Sequence, residues 1–74
     1  MNLQLMKKDI RRDIIRLLDE KRYGLSIDEI AHILHVNRAT AAKYLFALEA
    51  QGSIAVRLIG KAKLHYLKRY FGEK

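Results

Sequence analysis

Ile10, Ile14, Leu17 and Leu18, led in by Met6, recur at steps of four and three, with Lys7, Lys8, Arg11, Arg12 and Arg16 mostly between them. This is the apolar stripe of an amphipathic helix, and it predicts one over about 8–22. Gly24 then supplies a residue that commonly ends a helix, and Lys21 and Arg22 place positive charge near the negative end of the helix dipole. Ser26 stands three residues before Glu29, the spacing of a capping box in which serine accepts from the third helical amide and glutamate reaches back. A second, short helix is therefore expected from Ile27 to near His35, burying Ile27, Ile30, Ala31 and Leu34, with Asp28 and Glu29 in its first turn.

Asn37 is a good N-cap, and Ala41, Leu45 and Leu48 repeat behind it at four and three until Gly52. The third predicted helix spans about 38–51. Only His35 to Asn37 separate it from the second, with Val36 placed to plug the angle between them. Past Gly52 the pattern changes to runs of β-branched and aliphatic residues, 54–59 and 62–67, around Gly60-Lys61. A two-residue turn there pairs Ile59 with Ala62 and puts Ile54, Val56 and Leu58 on one face with Lys63, His65 and Leu67. The pattern assigns no element to 68–74.

The fold class is thus α+β, mainly helical, three helices followed by a β-hairpin. The 74 residues are expected to make a single domain with its core over about 9–67. A domain so small buries only about 60% of its unfolded surface, so self-association is an expected supplement. Composition changes the picture in two ways. Fifteen Lys and Arg against eight Asp and Glu leave +7, which favours a polyanionic partner. The absence of cysteine excludes disulfides, thiol catalysis and cysteine-based zinc sites, and fits a reducing compartment. With no stretch of 18 apolar residues, a cytoplasmic protein is expected, nucleoid-associated where its polyanionic partner is DNA.

The run Ile30-Ala31-His32-Ile33-Leu34-His35-Val36-Asn37-Arg38-Ala39-Thr40-Ala41-Ala42-Lys43-Tyr44-Leu45, continuing through Leu48-Glu49 to Gly52 and Ile54, resembles the helix-turn-helix of small bacterial and archaeal winged-helix transcriptional regulators. The resemblance covers about Asp9 to Leu67. The chain departs from the family's pattern at His35, where Gly is frequent, at Ala41, where a larger aliphatic is usual, and at Phe46, where a solvated polar residue is expected. The resemblance implies a DNA-binding protein with the third helix in the major groove and the hairpin as a wing on the backbone or minor groove.

On that reading the contacts come from the start of the third helix, at positions other than 41, 45 and 48. Arg38 can pair with guanine O6 and N7, Thr40 can meet a thymine methyl or a phosphate, Ala39 and Ala42 allow close approach, and Lys43 adds a cation. Asn37 caps the helix first and contacts phosphate second. Charge, however, concentrates elsewhere. Residues 1–24 hold seven basic and four acidic side chains (+3), 25–52 two and three (−1), and 53–74 six and one (+5). The resemblance implies wing contacts to phosphates by Arg57, Lys61 and Lys63, although each also fits a solvated surface cation. Lys7, Lys8, Arg11, Arg12 and Arg16 fit the polar side of the first helix, partly neutralised by Asp9 and Asp13.

Other chemistry finds little to work with. His32 and His35 lie three apart, but no cysteine or further ligand stands at metal-binding spacing. Besides tyrosine, the hydroxyls are Ser26, Thr40 and Ser53, and no phosphate-cradling glycine loop is present. No enzyme, cofactor, metal or small-molecule ligand is expected. Leu3, Leu5, Phe46, Tyr70 and Phe71 exceed what a three-helix core needs, and suggest a homodimer or another protein contact. Two competing readings stay open: a winged helix serving as a protein-interaction module in a larger transcription or repair complex, through Phe46, and binding to structured RNA. A membrane role is disfavoured, because the basic residues do not oppose an uncommitted apolar helical face.

Overall fold

The computed structural model describes residues 9–70. Three helices, α1 (Ile10–Glu20), α2 (Ile27–Leu34) and α3 (Arg38–Ala50), precede two antiparallel strands, β1 (Ile54–Ile59) and β2 (Ala62–Leu67), and a 3₁₀ turn, Lys68–Tyr70. Each helix begins at a polar cap. Asp9 accepts from the Arg12 amide and Asn37 from the Thr40 amide. Ser26 and Glu29 exchange both bonds of the capping box, at 3.2 and 2.9 Å.

The first helix is shorter than its apolar stripe suggested, ending at Glu20 with Lys21 as the C-cap. Gly24 does not terminate it. Its φ of +93° and its burial serve another purpose: a Cβ there would stand 2.6 Å from the Tyr66 ring. Glycine lets the chain turn beneath that ring and feed Leu25 toward the sheet. Leu25 and His65 form a single antiparallel bridge, so the hairpin gains a one-residue third rung.

Both other helix ends carry paired C-terminal bonds. At α2 the Val36 amide donates to the Ala31 carbonyl and the His35 amide to that of His32, with His35 left-handed at φ +59°. At α3 the Ser53 amide donates to Leu48 and the Gly52 amide to Glu49. These are Schellman closures, and in the first histidine takes the place usually given to glycine.

The hairpin register is the expected one, Ile54↔Leu67, Val56↔His65, Leu58↔Lys63 and Ile59↔Ala62. Gly60 alone in the turn has positive φ, +61°, as a type II′ turn requires. The core lies between the helices and the near end of the hairpin. Ile14, Leu18, Ile30 and Ile54 are its most deeply buried side chains, joined by Leu17, Leu25, Leu45, Leu48 and Leu67. Full burial of each such side chain contributes about 1.5–3 kcal/mol. Truncating Leu18 to Ala therefore removes about 2–5 kcal/mol, a large share of what a domain this small possesses.

Tyr70 fastens the 3₁₀ turn to α1. Its hydroxyl donates to Asp19 at 2.5 Å and its ring lies under the Arg22 guanidinium at 4.3 Å. The hydrogen bond to Asp19 holds the phenol proton to higher pH than usual. Met6, Lys7, Lys8, Leu3, Leu5 and Phe71 lie outside the described residues.

Candidate nucleic-acid interface

The core stripe of α3, Ala41, Leu45 and Leu48, fixes what faces the other way. At about 100° per residue, Ala39, Lys43 and Phe46 point directly away from that stripe, while Arg38, Ala42 and Glu49 flank them. Hydrogen bonds to Asn37 and the packing of Ile30, Leu45 and Leu48 hold the helix in this rotation.

This face is one wall of a groove of about 490 Å³. Arg38, Ala39, Ala42, Lys43, Phe46 and Glu49 line it from α3, Ile27 from the start of α2, and Lys63 and His65 from β2. The sheet supplies the second wall because residues 54, 56 and 58 and their partners 67, 65 and 63 share a face. Near the core that face is buried as Ile54 and Leu67, and farther out it becomes Leu58, 72% exposed, and Lys63.

The structure brings together five of the residues expected to touch DNA, Arg38, Ala39, Ala42, Lys43 and Lys63. It keeps others apart. Arg57 belongs to the alternate face of β1 and Lys61 to the turn, so both lie on the wing outside the groove. Thr40 is half-buried at the side of α3, and the Asn37 side-chain oxygen is committed to the Thr40 amide at 2.8 Å.

Arg38 already has a partner. Its guanidinium donates to the Asp28 carboxylate across the turn at 2.5 Å, both side chains being well exposed. Sequence patterning pairs charges three or four apart on one helix, and this pair spans ten residues and two helices. Glu49, by contrast, was findable, since the period that puts Phe46 outward puts Glu49 beside it. Its carboxylate narrows the positive part of the groove to the end nearer Arg38 and Lys43.

His65 is the one buried polar side chain in the described core. The Leu25 carbonyl accepts from its backbone amide at 2.8 Å and from Nδ1 at 2.9 Å. Because a carbonyl can only accept, Nδ1 carries the proton and Nε2 is the acceptor nitrogen. Burial depresses the imidazole pKa below its usual value, only partly offset by the Leu25 bond, and nearby Lys63 lowers it further. Among the described residues no group of His, Asp or Glu gathers where it could hold a metal ion. No helix there is long and apolar enough to cross a membrane.

Three capped helices, a three-residue turn before α3 and a two-stranded wing are the parts of a winged helix-turn-helix. The HTH domain family matches this chain over residues 10–67. The chain belongs to that family. Its match runs from the first residue of α1 to the last of β2, so this HTH domain includes the wing as well as the two helices of the motif. No curated protein matches the chain.

Proposed function

We propose that this HTH domain is a small transcriptional regulator or chromatin-associated factor that binds double-stranded DNA, with α3 in the major groove and the wing on the backbone. The observation that carries this reading is the convergence of Arg38, Lys43 and Lys63 on one groove, one wall of which is the face of α3 that bears Ala39 and Ala42. The alanines allow the helix backbone close to base edges, and the start of α3 presents the positive end of its dipole. Arg57 on β1 and Lys61 in the hairpin turn extend the positive surface along the wing.

Binding of the 74-residue chain to a mixed-sequence duplex, followed by fluorescence anisotropy across a salt series, tests it. Affinity is expected to fall steeply with salt. A Lys61→Ala/Lys63→Ala double variant is expected to reduce the log–log slope by about 1.8, two phosphate contacts at about 0.9 each. No binding at low salt would overturn the proposal.

We also propose that two copies associate through the terminal segments bearing Leu3, Leu5 and Phe71. Each would offer one α3 to a two-fold site. A second reading, a module docking a partner protein, is favoured by one observation, the 75% exposure of Phe46.

A further inference from the structure

A helix exposed on one side normally shows water a polar face, and α3 does not. Its outward line reads Ala39, Lys43, Phe46, with Ala42 alongside, so that hydrocarbon outweighs hydrogen-bonding groups where base edges would lie. Phe46 is 75% exposed on the face it shares with Ala39, and no core residue covers it. Besides Lys43, the groups on this face able to hydrogen-bond bases, Arg38 and Glu49, stand at its margin. Arg38 is held by Asp28, and Glu49 can only accept. Cations flank the apolar strip as Lys43 and, from the wing, Lys63. A hydrocarbon strip between cations is complementary to hydrocarbon set between phosphates.

In the major groove that hydrocarbon is the C5-methyl group of thymine, the one apolar group its base pairs present there. Building on the DNA-binding reading above, we propose that α3 recognises A·T-rich duplex through thymine methyl groups, which Phe46 covers while Ala39 and Ala42 admit the helix backbone. Lys43 and Lys63 hold the phosphates on either side. Ala39 and Phe46 are seven residues apart, about 10.5 Å along the axis at 1.5 Å per residue. With about 3.4 Å between successive bases, the strip spans three or four base pairs, and Phe46 meets the thymine methyls at one end of that run.

Uracil provides the test, because it keeps thymine's hydrogen-bonding groups and lacks only the methyl. Competition anisotropy with the full chain compares a thymine-run duplex with its uracil counterpart at equal salt. Loss of one fully covered methyl weakens binding by about fourfold, so a run of partly covered methyls is expected to cost about tenfold. Replacing cytosine by 5-methylcytosine in a G·C site is expected to tighten binding. Phe46→Ala is expected to bring the thymine-to-uracil ratio close to one, with the salt slope and melting temperature unchanged, and Phe46→Leu to keep part of the ratio.

Equal wild-type binding to the two duplexes would overturn methyl recognition and leave DNA binding standing. A ratio that survives in Phe46→Ala would overturn the role given to Phe46. Binding to neither duplex at low salt would overturn the DNA reading itself and turn Phe46 over to a protein partner.

Discussion

Arg38 stands at the first position of the recognition helix, yet its charge is answered within the chain by Asp28. An exposed pair of this kind contributes about 0–1 kcal/mol to stability, so DNA can compete for the guanidinium at small cost. Asp28→Asn is expected to raise duplex affinity by up to about fivefold with little change in melting temperature. Glu20→Gln on α1, which removes the same charge away from the groove, controls for net charge. Equal gains in the two variants would show that release of Arg38 contributes nothing. His35 carries a different local cost. A left-handed backbone costs a side-chain-bearing residue about 1–2 kcal/mol, and His35 pays it at φ +59° in the closure of α2. His35→Gly is expected to stabilise the domain by about 0.5–1 kcal/mol, a rise of roughly 2–8 °C in melting temperature for a domain of this size. Thermal unfolding by circular dichroism checks this, and a lower melting temperature would refute it.

At the scale of elements, the burial of His65 at the bridge between Leu25 and β2 favours its neutral form. The folded pKa of His65 is depressed, so below about pH 6.5 the unfolded chain binds the proton more readily than the folded one. Stability from this site is full above that pH and is lost as pH falls toward the folded value. The melting temperature of the wild type is therefore expected to drop more between pH 7.5 and 5 than that of His65→Asn, whose amide can still donate to the Leu25 carbonyl. Parallel profiles would remove His65 from the pH dependence. This element also marks where sequence reasoning stopped. The hairpin register was legible because a two-residue turn with Gly60 leaves a single pairing, and helix starts were legible because Ser26–Glu29 and Asn37 act over three residues. The end of α1 was not, since Lys21 and Arg22 prolong a helical pattern that the turn to Gly24 interrupts for the sake of Tyr66. Neither the Arg38–Asp28 pair nor the burial of His65 has a local pattern, as each joins elements that only the fold brings together. Phe46 was visible as a departure from a polar face, but the groove that gives the departure a meaning needs β2 opposite α3.

On the scale of the whole molecule, the helix-turn-helix segment is slightly acidic while the wing and tail carry most of the net +7. The hairpin itself holds three cations and no acid, Arg57, Lys61 and Lys63, so it supplies long-range attraction to a polyanion, and the apolar strip of α3 contributes at short range. That division leaves one copy with little grip: an apolar strip of three or four base pairs and a short basic wing. A two-fold pair would double both terms, placing two α3 helices about one helical turn of DNA apart, roughly 34–36 Å. Sedimentation equilibrium of the full chain is expected to show a dimer at tens of micromolar, and Leu3→Ser with Leu5→Ser to return it to monomer. Tyr70 is expected to matter less to association, because its hydroxyl and ring are engaged by Asp19 and Arg22 of its own chain. If the dimer is the binding unit, the serine variant loses affinity for a duplex with two inverted A·T-rich half-sites but not for one with a single half-site. A wild-type monomer throughout that concentration range, with equal affinity for single and paired half-sites, would remove the dimer and leave each domain to bind alone.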